Sequence, residues 1–124
     1  MGVGFKRGSE VVYTKNPPAP KICARWTLHN KEMPEKLVIV ILKYHGNYQL
    51  RFYRKLPIGY QTIRPRIQLL TSDAELLLQS SNNPEKFQEW LKNTVNINET
   101  LRERLKYWKY VICDFDLFRA ALQE

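Results

Sequence analysis

Hydrophobic residues follow two different patterns along this chain, and the change between them comes near residue 80. Before this point the apolar residues form short alternating or continuous runs, which are typical of β-strands. After it they recur at spacings of three and four, which is the period of amphipathic helices. Strands that come first and helices that come last predict an α+β domain with an antiparallel sheet.

The strongest strand signals lie in the middle of the chain. The segment Leu37–Tyr44 begins with six consecutive aliphatic residues, as in a central strand that is covered on both faces. The turn residues His45, Gly46 and Asn47 join it to the alternating segment Tyr48–Lys55, so the two segments are predicted to form a hairpin. Further strands are expected at residues 10–14, 21–29, 64–70 and 75–79.

Two helices are predicted from the residues that begin them. Asn83 can accept hydrogen bonds from the free amides of a first turn, and the proline that follows it is tolerated at the first helical position. Trp90 is expected to lie in the core on the apolar side of this helix. Asn98 can cap a second helix, which Asp114 or Asp116 is expected to interrupt.

The second helix carries an apolar seam with the spacing i, i+4, i+7 and i+11, which is typical of helix packing. Two roles for the seam remain open. It could cover the sheet of its own domain as a lid, or it could be an association surface for a homodimer or another partner. The seam residues are Leu101, Leu105, Trp108 and Ile112.

The stretch from Arg64 to Val95, RPRIQLLTSDAELLLQSSNNPEKFQEWLKNTV, resembles the C-terminal part of a pleckstrin-homology-like domain. In that family two short strands precede a C-terminal amphipathic helix with a tryptophan, and the helix closes one end of a bent antiparallel sheet. Trp90 takes the place of that tryptophan here.

The resemblance implies a division of the chain into three parts. Residues 1–20 would be an N-terminal arm, residues 21–98 the pleckstrin-homology-like domain, and residues 99–124 an appended C-terminal helix. It also implies a binding module or adaptor rather than an enzyme, because members of this superfold recognise phosphoinositides, peptides or proteins.

The positive charge of the chain is concentrated in its middle. The 124 residues include 20 Lys and Arg and 12 Asp and Glu, which gives a net charge of +8. Between residues 37 and 70 there are six basic residues and no acidic one. This distribution predicts a positive face that attracts an acidic partner.

Tyrosines are interleaved with the cations of this middle region. In the predicted hairpin, Arg51 and Tyr53 would face away from Leu50 and Phe52. We interpret the cluster as a surface for an acidic protein partner, because Tyr and Arg are enriched at interface hot spots. The alternative is single-stranded RNA or DNA, with cations on phosphates and rings on bases. The candidate residues are Lys43, Tyr48, Arg51, Tyr53, Arg54, Lys55, Arg64 and Arg66, with Tyr44 and Tyr60 close to them in sequence.

Other classes of function are disfavoured. Phosphoinositide-binding members of the family carry a Lys/Arg-x-Arg motif, whereas Arg51 and Arg54 are spaced Arg-x-x-Arg, so lipid binding is not expected. No catalytic motif or phosphate loop is present, and neither an enzyme nor a cofactor is expected. Cys23 and Cys113 lack metal-ligand spacing. Without a transmembrane or signal-peptide pattern, a cytoplasmic or nuclear protein is expected.

Overall fold

The computed structural model describes residues 20–122, and in this range four strands precede five helices. This order confirms the α+β class with an antiparallel sheet. None of these helices is long and apolar enough to cross a membrane. The strands are β1 (Lys21–Leu28), β2 (Lys36–Tyr44), β3 (Asn47–Lys55) and β4 (Tyr60–Leu69). The helices are α1 (Thr71–Gln79), α2 (Pro84–Ile97), α3 (Glu99–Arg104), α4 (Lys109–Cys113) and α5 (Phe115–Leu122).

The sheet is an antiparallel meander in which each strand pairs with the next one in the chain. The predicted hairpin is β2 and β3, which stay in one register along their whole length. His45 and Gly46 connect them with φ angles of 53° and 81°. Two successive positive φ angles give the tight turn whose twist matches that of the flanking strands.

The two faces of the sheet are formed by alternate residues of the same strands. Leu37, Ile39 and Ile41 of β2 belong to a core that also contains side chains of the helices, and we call this side the helix-covered face. The residues between them form a separate aliphatic cluster with Tyr44 and Tyr53 on the opposite side, which we call the outer face. The aliphatic residues of that cluster are Val38, Val40 and Leu42.

Helix α2 anchors the helical layer to the sheet. The Asn83 side chain accepts a hydrogen bond from the Lys86 amide, as its position before the proline predicts. On the buried side of the helix, the Phe87 ring stacks on Trp26 of β1 with a centroid distance of 3.8 Å. The same ring lies 5.8 Å from the ring of Phe118 in α5. One aromatic cluster therefore joins a strand and two helices.

The predicted second helix is divided into three short ones. Asn98 caps α3 through a 2.9 Å hydrogen bond from the Leu101 amide to its side-chain oxygen, and Asp114 accepts a similar bond from the Leu117 amide in α5. The seam faces the sheet, and its side chains are at most 3% exposed, so in this conformation they are not available to a partner. The buried seam residues are Leu101, Leu105, Trp108 and Ile112.

The C-terminal helices share one core with the sheet. Besides the buried seam, the amide of His29 at the end of β1 donates a 3.3 Å hydrogen bond to the carbonyl of Ala121 in α5. Residues 99–122 are thus packed into the same core as residues 21–98. The family resemblance implies a boundary between these two ranges, and the core continues across it. The pleckstrin-homology-like arrangement itself stays a prediction.

Two expectations about local structure need correction. The strand expected at 75–79 is wrong, because these residues belong to α1. Ala74, Leu77 and Leu78 follow one another at helical spacing and turn towards the core, and leucine favours helix over strand. Trp90 is only half-buried and packs at the edge of the core. The strand expected at 10–14 and the arm at 1–19 lie outside the described residues.

Candidate functional site

The outer face has an aliphatic centre that is bordered by arginines. Val40 in the central strand β2 pairs with Arg25 of β1 on one side and with Arg51 of β3 on the other. Cross-strand partners project from the same face of a sheet, so a guanidinium stands on each side of Val40. Arg51 is held in place by Gln49, whose side-chain oxygen accepts hydrogen bonds of 3.0 and 2.8 Å from it.

Two tyrosines lie on the same face. Tyr53 pairs with Val38, and Tyr60 at the start of β4 pairs with Lys55. The two rings meet edge to face, with their centroids 6.4 Å apart. Tyr53 is half-buried against the aliphatic centre, whereas Tyr60 is 52% exposed. Tyr60 therefore offers a flat aromatic surface to solvent.

Cations surround the ring of Tyr60. The Nζ of Lys55 lies 4.8 Å from the ring centroid, and the guanidinium carbon of Arg25 lies 6.0 Å from it. Arg25 also donates a 3.1 Å hydrogen bond to the Tyr60 hydroxyl. This bond lowers the pKa of Tyr60 below its ordinary value, and the nearby charge of Lys55 acts in the same direction.

The contact between Arg25 and Tyr60 spans the sheet. Arg25 belongs to β1 and Tyr60 to β4, so the two side chains reach towards each other across β2 and β3. Both are long, and together they extend over the valines of the central strand. This accounts for part of the burial of Val38 and Val40, which are only 2% and 4% exposed.

Further arginines lie where β3 and β4 are out of register. Leu50 pairs with Ile67 and Phe52 with Ile63, so Arg51 faces a bulge made by the residues between those two isoleucines. The bulge contains the cis peptide bond between Arg64 and Pro65. Arg64 and Arg66 are both exposed there and alternate with the inward-facing isoleucines. A sheet bulge thus adds two cations beside Arg51.

The eight residues predicted for the binding surface are divided between the two faces. Lys43 and Tyr48 pair with each other on the helix-covered side, where the lysine lies 5.4 Å from the tyrosine ring. Arg54 pairs with Leu37 and forms a 3.0 Å salt bridge with Glu35. The alternation of side chains along a strand causes this division. The residues that lie together on the outer face are Arg51, Tyr53, Lys55, Arg64 and Arg66.

Arg25 is the most important residue of this surface that the sequence reasoning missed, and Ile22 and Lys36 were missed as well. The place of Arg25 among the polar positions of β1, between Ala24 and Trp26, was a signal that it faces away from the core. What the sequence does not show is that β1 pairs with β2 in a register that sets Arg25 beside Val40. Its contact with Tyr60 joins residues 35 positions apart.

The electrostatics of the sheet are one-sided. The four strands contain nine Lys and Arg residues and no Asp or Glu.

The outer face also contains a recess of about 260 Å³, which is lined by Ile22, Arg25, Val38, Val40, Leu42, Tyr53 and Tyr60. Among residues 20–122, no group of three or more His, Cys, Asp or Glu side chains is placed to hold a metal ion.

Comparisons of the chain with models of known protein families, with curated proteins and with solved structures found no match.

Proposed function

We propose that the outer face of the sheet binds single-stranded nucleic acid. The observation that carries this proposal is the half-exposed ring of Tyr60 with Lys55 and Arg25 around it, on a sheet whose four described strands lack carboxylates. Cations on such a surface neutralise phosphates and release counterions. An exposed ring stacks on an unpaired base, whatever its sequence.

The exposed parts of the outer face favour a nucleic acid over a protein. Protein interfaces gain most of their affinity from apolar and aromatic anchors at a desolvated centre. Here the aliphatic centre is already covered, with Val38, Val40 and Leu42 at most 4% exposed. Besides Ile22, the described residues of this face present to solvent mainly positive charge and the ring of Tyr60. Those are the two components of a surface for single strands.

An acidic protein partner is the second candidate. The observation in its favour is Ile22, an aliphatic side chain that is 56% exposed at the rim of the recess, next to arginine and tyrosine. Arg and Tyr are the residues most enriched at protein hot spots. Binding of an acidic peptide, compared with binding of an oligonucleotide, separates this candidate from the first.

The test measures binding of the intact chain to a fluorescent random-sequence single-stranded oligonucleotide at several salt concentrations. Each phosphate contact contributes a slope of about −0.7 to log K against log salt. Contacts from Arg51, Lys55, Arg64 and Arg66 would give a slope of about −3. Binding of an acidic peptide with no binding of the oligonucleotide would support the second candidate instead.

A pair of matched variants tests which face is used. Lys55→Glu with Arg66→Glu reverses two charges on the outer face, and Lys43→Glu with Lys86→Glu makes the same change of net charge elsewhere. We expect the outer pair to weaken binding about tenfold or more and to flatten the salt slope, because phosphate contacts are lost. Equal effects of the two pairs would contradict the assignment to the outer face.

A further inference from the structure

The recess on the outer face has a mainly apolar lining. Four aliphatic side chains and the rings of Tyr53 and Tyr60 line it together with Arg25. The polar groups at its edge are the guanidinium of Arg25 and the hydroxyl of Tyr60, which are hydrogen-bonded to each other. The aliphatic residues are Ile22, Val38, Val40 and Leu42.

This lining does not suit a phosphate or a sugar. An anion placed among aliphatic side chains would lose its hydration without enough donors to replace it. A flat aromatic ring system meets no such penalty, because its faces can contact the exposed side chains of Tyr60 and Ile22. The volume of about 260 Å³ also lies below the usual range of drug-sized pockets, which leaves room for one small ring system.

Arg25 adds a polar contact at the edge of the recess. One of its terminal nitrogens donates to the Tyr60 hydroxyl, and a guanidinium has five N–H donors in all. The remaining donors can reach an acceptor on a ligand that enters beside the tyrosine. Carbonyl oxygens and ring nitrogens at the edge of a nucleobase are acceptors of this kind.

We propose that the recess takes one unstacked base of the bound strand. Ile22 and the two tyrosines contact the ring, Arg25 donates to its edge, and Lys55 with the arginines of the bulge contacts the flanking phosphates. This inference rests on the proposed function and deepens it. Binding of phosphates alone would not require an apolar recess on this surface.

The test compares two oligomers of equal length and charge, an oligothymidylate and an oligomer in which every residue is abasic. We expect the intact protein to bind the oligothymidylate about tenfold more tightly or better, since a stacked base contributes an effect of this size. Equal affinity for the two would overturn the recess proposal while leaving the proposed function in place. Failure to bind either would contradict the proposed function itself.

Two variants locate the base in the recess. Tyr60→Leu removes the exposed ring, and we expect it to abolish most of the preference for the oligothymidylate. Tyr48→Leu is the matched control, because Tyr48 also lies under a lysine but on the other face of the sheet. The control is expected to keep the preference.

A second change separates the recess from simple charge attraction. Ile22→Lys places a polar chain at the rim and adds a positive charge, at a position that is 56% exposed and therefore tolerant of substitution. We expect it to reduce the ratio between the two affinities, although it strengthens attraction to phosphates. An unchanged ratio in both Ile22→Lys and Tyr60→Leu would place the base elsewhere and overturn the proposal. Thermal melts of each variant establish that it is folded.

Discussion

The two faces of the sheet are formed by the same strands but differ in the side chains that surround them. On the helix-covered face, Trp26, Phe87 and Phe118 pack ring against ring in a core from which water is excluded. On the outer face, an aliphatic centre is bordered by Arg25 and Arg51 and remains uncovered by any of the described helices. The helix-covered face holds the larger core cluster, and the outer face holds a small aliphatic cluster with cations beside it.

The difference shows that position along a strand decides what a cation can do. Arg51 and Arg54 are three residues apart in β3, but they lie on opposite faces. Arg54 is neutralised by Glu35 at 3.0 Å, whereas the partner of Arg51 among residues 20–122 is the neutral side chain of Gln49. A positive charge that counts in the composition of the chain need not belong to the proposed binding surface.

The largest expected effect is the loss of the helices beyond α2. A chain that ends at Asn98 lacks the seam and Phe118, so the helix-covered face would expose apolar surface to water. We expect this truncated protein to aggregate or to lose its cooperative thermal transition. Light scattering and circular dichroism measure this outcome, and a soluble monomer with an unchanged melting temperature would contradict it.

A matched pair of leucines compares the two faces directly. Leu50 is fully buried on the helix-covered face, and Leu42 is 3% exposed on the outer face where it lines the recess. We expect Leu50→Ala to lower the free energy of unfolding by about 4 kcal/mol and Leu42→Ala by about 2 kcal/mol. The outer leucine costs less because the recess already deprives it of some packing contacts. Urea denaturation measures the free energy of unfolding of both variants. A larger decrease for Leu42→Ala than for Leu50→Ala would contradict the expected difference between the two faces.

A smaller effect is expected at the start of α3. The side chain of Asn98 accepts the Leu101 amide at 2.9 Å, and removing such a cap costs about 1 kcal/mol. Asn98→Ala should therefore lower the free energy of unfolding by this amount. Asn93→Ala, at an exposed position inside α2, is the control and should change it by less than about 0.5 kcal/mol. Equal losses in the two variants would show that the cap is unimportant.

The smallest effect concerns the ionisation of Tyr60. Its pKa is lowered by the hydrogen bond from Arg25 and by the charge of Lys55, so it should lose its proton before an ordinary tyrosine does as pH rises. The resulting negative charge on the outer face should weaken binding of an oligonucleotide in that alkaline range. Ultraviolet titration follows the ionisation, with Tyr60→Phe as the control. Arg25→Gln should return the pKa of Tyr60 towards its ordinary value, and no change in that variant would contradict the assigned cause.

The sequence predicts local features of this fold well. The β2–β3 hairpin follows from His45, Gly46 and Asn47 between two strand patterns, and the caps at Asn83 and Asn98 follow from the residue type and its position. These features depend on neighbours in the chain, which a sequence displays directly.

Features that depend on distant residues could not be predicted in the same way. The three consecutive leucines of α1 suit a buried strand as well as a helix, and only packing against the core separates the two. The contact of Arg25 with Tyr60 requires the order of all four strands, and the bulge opposite Arg51 requires the register of the last two. The outer face is therefore a property of the sheet rather than of any one segment.

The most direct test of the account is to map where a bound strand lies. An oligonucleotide that contains 4-thiothymidine can be photo-crosslinked to the intact protein, and the attached peptides can be identified by mass spectrometry. Tyr107 in the helical layer is a control within the same molecule, because it is 63% exposed and lies 5.2 Å from the Nζ of Lys106. We predict crosslinks at Tyr60 and Tyr53 and none at Tyr107. Crosslinks at Tyr107 without any on the outer face would contradict the central claim.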